Sequence, residues 1–483
     1  MQLSTLLNAL HPVEVIGRSD IEINSIQFDS RLVGVGDLFV AQSGTSVDGH
    51  TFIAHCISQG ARAIVLSNRD FLASDERVTY ILVKDTNEAL GLLACEWYGN
   101  PSKHLTLVGV TGTNGKTTIA TLLYKLTRGM GEKAGLLSTV VNYVDDEAVP
   151  STHTTPDALA LNALLARMVE AGCRYAFMEV SSHSIAQARV AGLDFDGAIF
   201  TNLTRDHIDY HKTFDNYRDT KKLLFDRLKK NAFAITNRDD KNGMVMVQNT
   251  RSHIYTYSTR SLADFKGIIL EEGFDGMLLN INNQEVFVPL VGRFNTSNLL
   301  AIYGTAINLG FDKTEVLRVL STLEAVNGRF ETIHSPKGWT AVVDYAHTPD
   351  ALKNVLQTIN DIRLDNQKLI TVVGCGGDRD RSKRPVMANI AANMSDTVIL
   401  TSDNPRTEDP EKILNDMEEG LNNTLKEKTI RITNRQQAIK TACKLAQNGD
   451  IILVAGKGHE KYQDINGVKH HFDDKEELIN ILK

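Results

Sequence analysis

The stretch LTLVGVTGTNGKTT, Leu105 to Thr118, decides how the rest of the chain is read. Leu105, Leu107, Val108 and Val110 form a short apolar run of β type. Gly112 and Gly115 then make a turn, and Lys116 and Thr117 open a segment whose apolar residues, Ile119, Leu122, Leu123 and Leu126, recur at helical spacing. A strand, a glycine loop, Lys-Thr and a helix make a phosphate-binding loop. The backbone N–H groups of Gly112-Thr113-Asn114-Gly115 and the helix N-terminus through Thr118 would hold phosphate oxygens. Lys116 would reach the β/γ-phosphates, and the Thr117 hydroxyl can ligate Mg²⁺. Val110 stands where the general GxxxxGK[ST] pattern has its first glycine. A ligand-free glycine turn would not explain a lysine at the positive end of a helix dipole.

A chain of 483 residues exceeds one ordinary core, so several domains are expected. The hydrophobic fraction of 42% and charged fraction of 23% are those of a soluble globular protein. A net charge of −7 argues against a general nucleic-acid or anionic-membrane binder, though not against acidic substrates met by local basic groups. The start of the chain has no basic region before a long apolar core, and no run approaches a membrane span, so neither a leader nor membrane insertion is expected. Five scattered cysteines without a CxxC pattern read as buried, reduced thiols.

Along the chain, ARAIVLS (Ala61–Ser67) and YILV (Tyr80–Val83) read as short strands of a small α/β unit, and Asp85 or Thr86 caps a helix running through Trp97. YAFMEVSS (Tyr175–Ser182) and FDGAIFTNL (Phe195–Leu203) read as buried strands of a mostly parallel sheet around the phosphate loop. From about 331 onward, TAVVDYAHTPD, LITVVGCGGDRD, TVILTSDNPR and DIILVAGKGHE share one plan, an apolar strand running into a polar or glycine-rich loop, as in a Rossmann-like sheet with its functional loops on one edge.

Glu179 and His207 each close an apolar strand. A carboxylate and an imidazole near Thr117 suit Mg²⁺ ligation, while a capping Glu and a structural His are the plain alternative. Lys221, on a helical pattern beside Lys222, reads on its own as a solvated lysine. Thr154-Thr155-Pro156-Asp157 and Ser181 through Arg189 are polar clusters suited to a sugar-peptide substrate, although the first also reads as a cap with proline at the first turn of a helix from Asp157. In the third unit, Arg379, Asp403-Asn404-Pro405-Arg406 and Gly456-to-Glu460 sit at strand ends. Arginine forks bind carboxylates, Glu460 can bind an ammonium group, and Gly456 lets backbone approach closely.

Taken together, TGTNGKTT, MEVSSH with Gln187 and Arg189, TNLTRDHIDYH, YxxxK ending at Lys221, GRFNTSNLLA, NGRFE, VVDYAHTPD, GCGGDRDRSKRP, SDNPRTEDP and GKGHE resemble the Mur ligases over nearly the whole chain. These are ATP-dependent amide ligases of cytoplasmic peptidoglycan precursor synthesis. The resemblance implies an α/β protein of three domains: a UDP-substrate-binding domain at 1–98, a central ATP-binding domain with a mostly parallel sheet at 99–330, and a Rossmann-like amino-acid-binding domain at 331–483. It implies ATP and Mg²⁺ as cofactors, and a cytoplasmic monomer. Lys116, Glu179, His207 and Lys221 would be catalytic, with Thr117, Glu179, His207 and a carbamylated Lys221 around the metal. Asn298, Arg329, Asp344 and His347 would join the loop in binding ATP. Phe28, Ser30, Thr45 and Ser46 would take the uridine end of the substrate, and His153, Thr154, Thr155, Ser181, Gln187 and Arg189 its sugar-peptide part.

The DNPR loop resembles the branch of the family that adds meso-2,6-diaminopimelate to UDP-N-acetylmuramoyl-L-alanyl-D-glutamate through an acyl phosphate. Arg379, Asp403, Asn404, Pro405, Arg406, Gly456 and Glu460 would then hold the diamino acid. Its distal carboxylate, absent from lysine, gives the arginines a purpose. An L-lysine-adding ligase, a folylpolyglutamate-type ligase and a P-loop switch ATPase remain as alternatives.

Overall fold

The computed structural model describes residues 1–44, 47–72, 75–151 and 154–482. Thr45, Ser46 and His153 lie outside the described residues.

The strand that feeds the phosphate loop, Thr106–Thr111, lies in the middle of an eleven-stranded sheet. Tyr175–Glu179 pairs with it in parallel on one side and Gly197–Phe200 on the other. Ala134–Leu137 extends the first side, and Phe233–Asn237, His253–Ser258 and Phe265–Gly273 extend the second, all in parallel. Each central strand is buried along its length, because helices such as Lys116–Gly129 and Arg293–Asn308 cover the sheet. The chain thus passes to both sides of the loop strand, and such a switch point opens a crevice at the carboxyl ends of the strands. Antiparallel hairpins close both edges, Val141–Val144 with Glu147–Pro150 and Gly276–Ile281 with Gln284–Val288. The second turns at Asn282-Asn283, both with positive φ, the conformation that two-residue hairpins favour.

The N-terminal sheet has five strands in the spatial order Glu14–Ile16, Thr79–Leu82, Ala63–Leu66, Leu38–Val40, Ile26–Gln27, parallel except for the first pair. Asp85 caps the helix Thr86–Trp97 by accepting the N–H groups of Asn87 and Glu88, and this helix buries Ala89, Leu90, Leu93 and Ala94 against Val40 and Val65.

The C-terminal sheet has six strands in the order Glu331–His334, Thr340–Asp344, Ile451–Ala455, Leu369–Cys375, Thr397–Ser402, Thr429–Arg431. All pairs but the first are parallel, so the loops after Asp344, Cys375, Ser402 and Ala455 leave from one edge.

Local readings differ in places. The strand read to Ser182 ends at Glu179, because Ser181 caps the short helix Ser182–Ala186 by accepting the Ser184 N–H. The strand read over Phe195–Leu203 is the shorter Gly197–Phe200. Asp157, not Thr154 or Thr155, caps the next helix, Ala158–Glu170, and Pro156 precedes it. All five cysteines are buried and free. Among the described residues no helix is long and apolar enough to cross a membrane.

Candidate active site

The phosphate loop is clamped from the neighbouring strand end. Thr113 N–H donates to Asn202 O (2.8 Å), Asn114 N–H to Asn202 Oδ1 (2.9 Å), and Thr201 Oγ1–H to Asn114 O (2.6 Å). Gly112 has φ +150°, and a Cβ there would come within 1.9 Å of Thr201 Oγ1, so the residue must be glycine. The Lys116 ammonium folds back on the loop, donating to Gly112 O (3.0 Å) and Thr113 O (2.8 Å). Burial, with Arg329 nearby, lowers its pKa against the pull of Glu179 and Asp206. Thr118 is buried in the first turn of the helix.

Two oxygen-bearing side chains face each other at the start of the helix. Thr117 Oγ1 donates to Glu179 Oε2 (3.0 Å), and the buried Glu179 takes the Thr139 N–H on its other oxygen (2.7 Å). Arg329 reaches the same hydroxyl through Nη2 (3.2 Å) and lies over the Tyr345 ring at 4.7 Å. His207 stands beside them with φ +54°, its ring edge-on to His183 at 4.7 Å. Partial burial, reinforced by His183, lowers the His207 pKa to about 4 against the pull of Asp206, so the imidazole is held neutral near pH 7.

Lys221 is not a solvated lysine. It is 1% exposed, donates to Gly112 O at 2.8 Å, and lies over the Tyr217 ring at 4.8 Å. Burial first, and Lys116 second, push its pKa well below the ordinary 10.5. A buried amine, its charged form disfavoured, therefore sits on a carbonyl of the phosphate loop itself.

A cleft of ≈ 2220 Å³ runs from this loop to the C-terminal sheet. Lys116, Thr117, Glu179, His207, Asn298, Arg329, Asp344 and His347 line it at one end; Arg379, Asp403, Asn404, Arg406, Gly456 and Glu460 line it at the other. Asp344 accepts the Phe330 N–H (2.7 Å), and burial raises its pKa to about 6. His347 is held neutral, its pKa lowered to about 4 by burial and Lys383. Arg406 donates from Nη1 to Gly377 O (2.6 Å), and a Cβ built on Gly376 would meet Arg406 Nη1 at 2.9 Å and Arg379 Cγ at 3.9 Å. The two arginines thus flank one glycine; Arg379 is exposed and Arg406 partly buried. Pro405 is buried and sets the loop rather than lining the cleft. Gly456, with φ +118°, lies where a Cβ would strike Asp403 Oδ2 at 2.5 Å.

The residues read for the UDP substrate divide. Thr154 lines the cleft and accepts from Thr139 Oγ1 (3.1 Å). Thr155, Ser181, Gln187 and Arg189 gather beside Glu179: Thr155 Oγ1 donates to Glu179 O (2.8 Å), and Arg189 donates to Thr155 O (2.8 Å) and to Gln187 Oε1 (2.6 Å). Phe28 and Ser30 belong to the N-terminal sheet unit, with Phe28 packed on its core, and do not line the cleft.

Three family models match the chain in succession: "Mur ligase family, catalytic domain" at 22–98, "Mur ligase middle domain" at 110–306, and "Mur ligase, glutamate ligase domain" at 328–458. A UDP-N-acetylmuramoyl-L-alanyl-D-glutamate–2,6-diaminopimelate ligase of Parabacteroides distasonis is 60% identical, aligned over 100% of this chain and 99% of its own. The chain belongs to the Mur ligase family. A Bacteroides fragilis ligase of the same description is 58% identical with the same coverage. A solved structure described as a UDP-N-acetylmuramoyl-L-alanyl-D-glutamate–2,6-diaminopimelate ligase superposes with a TM-score of 0.69 at 34% identity, covering 99% of this chain and 98% of the other. As a Mur ligase, the chain is an ATP-dependent ligase.

The sequence reading passed over several residues in and behind this Mur ligase cleft. Asn202 and Tyr217 fix the phosphate loop. Tyr345 lies under Arg329 and against His347 and His459. Lys457, within the GKGHE stretch, is wholly buried. Its neighbours in sequence were noticed; what distinguishes it is burial, which the sequence of a polar loop does not announce.

Proposed function

We propose that this chain joins meso-2,6-diaminopimelate to the D-glutamyl carboxylate of UDP-N-acetylmuramoyl-L-alanyl-D-glutamate, using ATP, as a cytoplasmic step of peptidoglycan precursor synthesis. The observation that carries the proposal is the single cleft: a phosphate loop at one end, and at the other two arginines beside two carboxylates, Asp403 and Glu460. Lysine offers its far end only as an ammonium; diaminopimelate offers an ammonium and a carboxylate, which needs both signs of charge.

The division of labour follows three units, 1–98 for the uridine end, 99–330 for ATP, and 331–483 for the amino acid. Arg189, whose hydrogen bonds among the described residues go to carbonyl oxygens, keeps a cation for a substrate carboxylate near Glu179. A carboxylate oxygen of the substrate attacks the γ-phosphorus of ATP, the bond to ADP breaks, and an acyl phosphate results. The neutral amine of the diamino acid attacks the acyl carbon, phosphate leaves with the C–O bond pair, and the proton lost from the amine nitrogen is carried off by phosphate or solvent. Lys116, placed over the loop, neutralises charge on the transferring group.

Among the described residues no group of three His, Cys, Asp or Glu side chains forms a metal cage. The Thr117–Glu179 oxygen pair fits Mg²⁺ nevertheless, since this ion takes one or two protein oxygens and leaves the rest to phosphates and water. Thr117 and Glu179 would hold it, with His207 and the carbamate of Lys221 alongside; it would supply positive charge to the phosphates. Burial disfavours the ammonium form of Lys221, and its amine would form an N–C bond to CO₂ with release of one proton to solvent. The carbamate would replace a cation by an anion beside the phosphate loop and would help to hold Mg²⁺ there.

The test is phosphate release by purified protein with ATP and UDP-N-acetylmuramoyl-L-alanyl-D-glutamate. Diaminopimelate should support it and lysine should support it at least about tenfold less, the worth of one charge-assisted contact. Equal rates would overturn the choice of amino acid, and phosphate release needing neither substrate would favour a switch ATPase.

A further inference from the structure

The GKGHE loop holds a charge that the proposed reaction has not used. Lys457 is 0% exposed. Its Nζ donates to Asn404 Oδ1 (3.0 Å) and Glu460 Oε2 (3.2 Å), stands 3.9 Å from Asp403 Oδ1, and lies 5.5 Å from the Tyr462 ring centre. It therefore touches the three polar residues, Asp403, Asn404 and Glu460, that form the anionic end of the cleft, while itself lining none of it.

These contacts fix the neighbours as well. Asn404 Oδ1 accepts from both Lys457 and the Asp464 N–H (2.9 Å), which turns its amide nitrogen toward Glu460 Oε2 (2.7 Å). Glu460 is thereby held through one oxygen, while its other oxygen meets Tyr345 OH at 3.4 Å. Two carboxylates at the wall of one cleft repel, and burial penalises both charges; a buried cation between them relieves that. With Lys457 counted, Asp403 and Glu460 present one net negative charge. Without it they present two.

We propose that Lys457 is a positioning residue for amino-acid selection, setting the anionic end of the cleft to a single net charge that matches one substrate ammonium and tolerates the carboxylate beside it. This rests on the diaminopimelate reading above. A doubly negative wall would repel the distal carboxylate of diaminopimelate and favour a substrate end that carries an ammonium alone. Lys457 thus acts through charge on the choice between the two diamino acids, and not on ATP.

The experiment compares kcat/KM for meso-diaminopimelate and for L-lysine in the parent enzyme, Lys457→Gln and Lys457→Arg, with KM for ATP measured alongside. In Lys457→Gln the preference for diaminopimelate should fall at least about tenfold, through KM for the amino acid, while KM for ATP stays within about twofold. Lys457→Arg, which keeps the charge, should hold the preference within about threefold of the parent. An unchanged preference in Lys457→Gln, or an equal loss in both variants, would overturn the proposal. The parent enzyme gives a test that needs no variant: 2-aminopimelate, which keeps the distal carboxylate and lacks the ammonium, should be a far poorer substrate than diaminopimelate. Equal use of the two would show that this wall reads no ammonium, and would overturn it too. Failure of the parent enzyme with both diamino acids would instead strike the functional reading beneath the proposal, and the parent control tells the two apart.

Discussion

Single residues in this cleft are tuned by what surrounds them, and Asp344 shows it in a form that can be measured. It is buried, and its pKa of about 6 lies above the ordinary 3.8 because burial disfavours the charged form more than Arg329 and two backbone N–H groups favour it. A carboxyl whose folded pKa is raised contributes stability that is fully present below about pH 4 and is lost as pH rises through about 6. The gap corresponds to about 3 kcal/mol at most. Asp344→Asn, which does not titrate, should therefore gain stability relative to the parent between pH 4 and pH 7, read as a widening difference in thermal midpoint; a difference flat with pH would refute the assignment. Lys221 makes the complementary case for what a sequence withholds. Its place on a helix beside another lysine gives a solvated side chain, and only the resemblance of YxxxK to the family raised it further. The structure supplies the physical reason, since the helix Phe214–Asp226 turns Lys221 inward onto the Gly112 carbonyl.

At the scale of elements, the buried parallel strands and their loops were legible because long apolar runs ending in polar or glycine-rich turns admit few other readings. The edges were not. The hairpin Tyr462–Ile465 with Val468–His471 turns at Asn466-Gly467, a strong turn signal that the reading of the chain left unused. That hairpin matters to the cleft: Arg406, at φ +51°, donates its N–H to Asp464 O (3.0 Å) and accepts from the Asn466 N–H (2.7 Å). A non-glycine residue in this conformation stores strain of about 1 kcal/mol or more, held here by the two bonds. Nothing in the residue types of DNPR marks it. The phosphate loop is held as closely. Gly112→Ala would drive a methyl group into Thr201 Oγ1, so kcat/KM for ATP should fall by about a hundredfold or more, the effect of displacing a positioned group by about 1 Å. Circular dichroism should show the fold retained. Near-normal ATP use by this variant would contradict the clamp described for the loop.

For the whole molecule, the three sheets matter through what they bring together. The central sheet supplies a loop for the phosphates, and the C-terminal sheet supplies four strand-end loops on one edge, three of which reach the far end of the same cleft. The phosphate loop alone indicated only that a nucleotide binds. On the proposed reading, its place in one cleft with Asp403, Arg406 and Glu460 suits a substrate carboxylate, and not water, as the acceptor of the γ-phosphate. The direct measurement is isotope transfer. With ¹⁸O in the D-glutamyl carboxylate of the UDP substrate, and with ATP and diaminopimelate present, the inorganic phosphate released should carry one ¹⁸O atom from that carboxylate for each amide bond formed. Phosphate that carries no label would contradict the acyl-phosphate route and with it the central claim about this cleft.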